Sequence, residues 1–283
     1  MESTDRDPSI GRVVLALASA TLLGAGGLGV GVIVLVLATV VAIVAFGELS
    51  LAAALGLSLV SVQGVGCVVV SIAYLRSRPT IAAGMERTFG WSTRRRLQIG
   101  VSWPSGRDLL VTVGGWIGAF LGVFAVAIVV QYVLLEIVGQ EPGANPVAEA
   151  GLEQPELLLL LIPAMILLVG PAEELLFRGI VQGRLREVFR PVSAIAISSV
   201  LFAGLHYFVL TGGTPTANAV AVSLLLIPSV VMGATYEYTD NLVVPSLIHG
   251  LYNSTLLALL YVGLAYGDEL EDAGAMLALA GIA

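Results

Sequence analysis

The chain has 283 residues, 57% of them hydrophobic and only 12% charged, with a mean hydropathy of +0.97. Soluble domains carry roughly a quarter charged residues, so this composition excludes an ordinary soluble globular protein and predicts an all-α, polytopic helical membrane protein. All 13 basic residues are arginine against 20 acidic ones, for a net charge of −7; that balance argues against nucleic acid as a partner and points to a halophilic or GC-rich prokaryote.

Residues 1–10 are short and polar and lack the pattern of a cleaved signal peptide. Residues 13–46 are uncharged and would reach about 50 Å as one helix, against a ~30 Å hydrocarbon core. Glycines 24, 26, 27, 29 and 31 are expected to break this run, into an interfacial helix plus one span or into a hairpin of two. Residues 49–75 form the next span. The stretch 76–107 carries seven arginines, including Arg94, Arg95 and Arg96, and reads as a cytoplasmic loop by the positive-inside rule.

Residues 109–138 lead outward. Residues 139–156 read as an outer linker, with three prolines, four glutamates and no arginine. Residues 157–181 return inward and end at Arg184, Arg186 and Arg190. Residues 191–210, 219–236 and 242–266 make three more spans. The acidic stretch 268–272 caps the last one outside. The expected total is 7–8 transmembrane helices in a multi-pass protein of the cell membrane. They divide into N-terminal helices with an arginine-rich loop near 76–108 (1–156), a helix core (157–266) and a short tail (267–283). The single cysteine, Cys67, lies mid-span and reads as a small apolar residue.

The chemistry concentrates in Gly170–Gly179, where Glu173, Glu174 and Arg178 sit inside an apolar span. Buried ionisable groups are costly there and mark function. Glu174 and Arg178 are four apart, the favourable order for a helical ion pair. Glu173 lies about 100° round the helix, near mid-membrane. Pro171 leaves a carbonyl one turn earlier without its donor. The only two histidines, His206 and His249, also fall in apolar spans. Helix rise puts them roughly 21 and 10 Å above the cytoplasmic ends, against ~16 Å for Glu173, so the three can meet at one depth. Asn253 follows His249 by four residues, and the two together offer the donor pair an oxyanion requires. Phe202 precedes His206 by four and can pack on its ring. A carboxylate, a histidine and a donor pair suit amide hydrolysis by activated water. Ser246 and Ser254 lack the context of a nucleophile.

At these residues the chain resembles the CPBP family of intramembrane glutamic endopeptidases, the CAAX prenyl proteases and their bacteriocin-processing, Abi-like relatives. The motifs are Glu173-Glu174-Leu-Leu-Phe-Arg178, Phe202-Ala-Gly-Leu-His206 and His249-Gly-Leu-Tyr-Asn253, in that order and each on an apolar span. The resemblance covers about residues 157–260. It implies an eight-helix-type membrane protease. Glu173 and His206 would activate water, His249 and Asn253 would stabilise the oxyanion, and Glu174 and Arg178 would shape the site. The implied partners are the lipid bilayer and a membrane protein or lipidated peptide as substrate. The expected mechanism has no cofactor. A zinc site built from His206, His249 and a glutamate stays open. So do a non-catalytic scaffold or immunity-type protein on the same fold and a proton-coupled transporter.

Overall fold

The computed structural model describes residues 9–90 and 96–267. In chain order the helices are α1 (Ile10–Phe46), α2 (Leu51–Phe89), α3 (Gly106–Val138), α4 (Pro146–Glu153), α5 (Glu156–Leu185), α6 (Pro191–Val209), α7 (Pro215–Thr239) and α8 (Val243–Tyr266). All except α4 are long and apolar enough to cross a membrane. The chain is an all-α, multi-pass membrane protein. Arg6, Arg94, Arg95, the acidic stretch 268–272 and the rest of the tail lie outside the described residues.

Local chemistry starts the helices. Ser50 accepts the Ala53 amide at the head of α2, and Thr214 accepts the Ala217 amide at the head of α7. Ser105 and Asp108 form a reciprocal capping box on α3. Each supplies an acceptor to amides that lack a partner within the helix.

Three sequence expectations are corrected. First, the glycines of 24–31 do not break the first run, and α1 is continuous over 37 residues. In a membrane a broken helix would leave backbone groups without water to bond, so continuity wins. Ala16, Ala20, Gly24, Gly27 and Gly31 instead form its buried face. A Cβ on Gly31 would lie 2.8 Å from the Val62 Cα, and one on Gly66 would lie 2.7 Å from the Gly27 carbonyl oxygen. These glycines bring two backbones together, as small residues do between membrane helices.

Second, the arginine-rich stretch is not a loop from residue 76. Helix α2 runs on to Phe89 and ends at Gly90, whose φ of 66° is left-handed. Arg78 is buried there and donates to the Tyr74 hydroxyl (2.7 Å) and to Glu187. Arg184 donates to the other oxygen of Glu187 at 2.6 Å. The cluster ties α2 to the segment just beyond α5. Third, the expected linker 139–156 contains α4.

Helix α5 is the element the others surround. It carries Pro163 and Pro171, and it is π-helical over Met165–Val169 and Leu175–Gln182. Proline removes a backbone donor, and the wider turns lie on either side of Pro171. Helix α8 crosses α5 at two glycines. A Cβ on Gly170 would meet the Ser246 carbonyl oxygen at 2.5 Å, and one on Gly250 would meet the Ile166 Cα at 2.7 Å. No side chain fits between the two backbones, so α8 is held against the turn that bears Glu173 and Glu174.

The non-helical segment 97–105 is fastened to the turn between α7 and α8. The Asn241 side chain accepts the Ser102 amide and donates to the Ser102 carbonyl, both at 3.1 Å. Ile99 packs on Gly179 of α5.

Candidate active site

The site grows from one turn of α5. Glu174 and Arg178 are fully buried and form the ion pair expected from their spacing, Nε to Oε2 at 2.8 Å. The Arg178 Nη2 also donates to the Ser229 hydroxyl on α7 at 3.0 Å. The other oxygen of Glu174 accepts from His249 Nδ1 at 3.0 Å. One carboxylate therefore holds both an arginine of its own helix and a histidine of α8. This matters because an ion buried away from water is stable only when its remaining acceptors are also filled.

That bond also defines the imidazole. Nδ1 donates to Glu174, so Nε2 faces the other way. Its neighbour there is Glu173, with Nε2 to Oε2 at 3.9 Å. Oε1 of Glu173 accepts from Gln63 Nε2 at 3.2 Å. Oε2 is buried and has no hydrogen-bond partner within the protein. The adjacent glutamates thus have different surroundings: Glu174 is paired on both oxygens, and Glu173 keeps one free.

Phe202 is the hub of the second motif. Its ring centroid lies 4.4 Å from that of His206, 5.8 Å from that of His249 and 4.9 Å from that of Phe177. The Arg178 guanidinium carbon lies 5.4 Å from the same centroid, within range of a cation–π contact. Phe202 therefore touches both histidines and the arginine. His206 Nδ1 donates to the Phe202 carbonyl at 2.8 Å. A carbonyl can only accept, so the proton is on Nδ1, and a neutral ring keeps a lone pair on Nε2. No hydrogen bond or ion pair joins His206 directly to Glu173; the two are linked through Phe202 and His249.

Asn253 is half-buried one turn after His249. Its amide reaches the Met165 sulfur at 3.9 Å, a weak acceptor that leaves the donor available. The Ser246 and Ser254 hydroxyls are bonded to the carbonyls of Leu242 (2.7 Å) and Ile162 (3.3 Å). Cys67 is a buried free thiol.

Sequence reading missed three residues. Gln63 was the lone amide in an otherwise apolar span, and that was its only signal. Ser229 gave none, because serine is ordinary in membrane helices. Gln182 continues the face of Arg178 by four residues and donates to the Gly233 carbonyl at 3.2 Å. Arg186, four further on, meets Glu237 at 2.8 Å. Helices α5 and α7 are thus joined by a polar seam at four-residue intervals, Ser229, Gly233 and Glu237 answering Arg178, Gln182 and Arg186.

Residues 155–255 match the model of the family described as Rce1-like, type II CAAX prenyl endopeptidase. That segment is similar to the family. It contains Glu173, Glu174, Arg178, Phe202, His206, His249 and Asn253, and the similarity supports an intramembrane protease of the CAAX type. Gln63 lies outside it. No curated protein and no solved structure matches the chain.

Proposed function

We propose that the chain is a glutamate-dependent intramembrane endopeptidase that hydrolyses a peptide bond of a membrane-associated, CAAX-type substrate without a metal ion. The observation that carries this reading is the unequal surroundings of the two glutamates. Glu174 is consumed by Arg178 and His249, while Glu173 presents a free, buried oxygen toward His249 Nε2.

In this reading Glu173 Oε2 takes a proton from water, whose oxygen bonds to the scissile carbonyl carbon. The carbonyl electron pair moves onto its oxygen. A protonated His249 and the Asn253 amide donate to that oxyanion, which a water-poor site favours strongly. Collapse of the intermediate breaks the C–N bond, and Glu173 returns its proton to the leaving amine. His206 accepts from the water through Nε2 and orients it. Glu174 and Arg178 keep His249 aimed.

The test is proteolysis in liposomes by wild type and Glu173→Gln, with and without chelator, against prenylated and plain membrane peptides. Wild type should cleave with or without chelator, and Glu173→Gln should lose about 10²–10⁴-fold in rate. Loss with chelator, restored by zinc, would replace the proposal with a metalloprotease. Equal cleavage by both proteins would remove Glu173 as the base. No cleavage by a well-folded wild type would favour the non-catalytic scaffold.

A further inference from the structure

We infer that Gln63 of α2 is a positioning residue for Glu173, so that the N-terminal helices, outside the matched segment, complete the active site. The inference rests on the reading of Glu173 as the base. Gln63 Nε2 donates to Glu173 Oε1 at 3.2 Å across 110 residues of sequence. Its own Oε1 is buried without a partner in the protein. The amide therefore makes one internal bond, and it makes it to the glutamate. A glutamine serving only to tie helices together would be expected to use both ends.

The chemistry of an amide suits the task. It donates but carries no charge and neither gains nor loses a proton at working pH. A lysine or arginine at this position would also orient Glu173, but it would neutralise the carboxylate. An amide fixes Oε1 as an acceptor and leaves Oε2 to take the proton.

The position of Gln63 is itself held rigidly. It lies in the π-helical stretch Leu59–Val69, between the contacts of Val62 with Gly31 and of Gly66 with Gly27. Glycine-to-backbone contacts of this kind bring the two helices into close register, and wide turns of this type recur at functional sites. One turn further, Cys67 is fully buried in the same cluster as Ala172 and Leu176 of α5. The face of α2 that bears Gln63 is thus packed against the turn that bears Glu173.

Two variants and one spectroscopic measurement test this. Gln63→Met keeps the length and removes the donor; kcat should fall about 10–100-fold with KM unchanged, the signature of an interaction used in the transition state. Gln63→Glu can donate to Glu173 only when protonated, so its activity should be confined to acidic pH, whereas wild type should stay active at neutral pH. A purely structural glutamine would lower stability in Gln63→Met and leave kcat unchanged. Infrared spectra of the purified proteins need no substrate. The carboxylate band that disappears in Glu173→Gln should shift in Gln63→Met, and an unshifted band would overturn the inference. Wild-type kcat and pH profile in both variants, with Glu173→Gln inactive, would also overturn it while leaving the proposed function standing. Cleavage unaffected by Glu173→Gln would overturn the proposed function instead.

Discussion

Replacing Gly250 by alanine should damage the site without touching any group in it. The new Cβ would lie 2.7 Å from the Ile166 Cα and 2.9 Å from the Met165 carbonyl oxygen, and ordinary contact begins at 3.4 Å. Both obstacles are backbone, so neither can rotate away. Helices α5 and α8 must part by about 0.7 Å at this point. His249 is the preceding residue, and its 3.0 Å bond to Glu174 would stretch beyond hydrogen-bonding range. Overpacking of this kind costs about 1–3 kcal/mol, and misplacing a catalytic group by about 1 Å costs on the order of 10²-fold in rate. The assay is cleavage kcat beside an unfolding midpoint in mixed micelles. Gly170→Ala, whose Cβ would meet the Ser246 carbonyl oxygen at 2.5 Å, should behave alike. Gly56→Ala, with open space around it, is the control. Wild-type kcat and stability in Gly250→Ala would refute the idea that this crossing sets the His249–Glu174 distance.

Other expectations follow from single contacts. Arg178→Met strands Glu174 in the interior with His249 as its only partner, so stability should drop by about 3–5 kcal/mol; Arg178→Lys should not restore it, because one ammonium cannot reproduce the fork that reaches Glu174 and Ser229. A stability change below ~1 kcal/mol in Arg178→Met would mean the pair is solvated. Asn253→Ala removes only a weak contact with Met165, so its unfolding midpoint should stay near wild type while kcat falls about 10²–10³-fold. Stability lost in place of rate would make Asn253 a tie between helices. Asn241→Ala deletes both bonds to Ser102, so residues 97–105 should exchange their amide hydrogens faster. Unchanged exchange there would show that another contact holds the segment.

The parts of the site that lie within one helix were readable from spacing. Glu174 with Arg178 and Phe202 with His206 are each four apart, and both contacts form. The spans from residue 106 onward were readable from apolar length alone. The environment of Glu173 was not. Its acceptor bond comes from Gln63, 110 residues earlier, and no periodic pattern carries information over that distance. The glycines of α1 were misjudged for a related reason. A glycine run reads as a break when the helix is considered alone, and as a close-packing face once α2 lies against it.

What the sequence by itself determined is the membrane class, the order of the spans and the ionisable residues that lie within them. Composition and the 3.6-residue period settle those locally. Only the tertiary structure decided which partners from other helices each glutamate takes, His249 for Glu174 and Gln63 for Glu173, and which oxygen stays free. That choice depends on how closely α2, α7 and α8 approach α5. Helix α8 is set against α5 by backbone contacts at Gly170 and Gly250, and α2 is set against α1 at Gly27, Gly31 and Gly66, where the absence of a side chain lets distant segments meet.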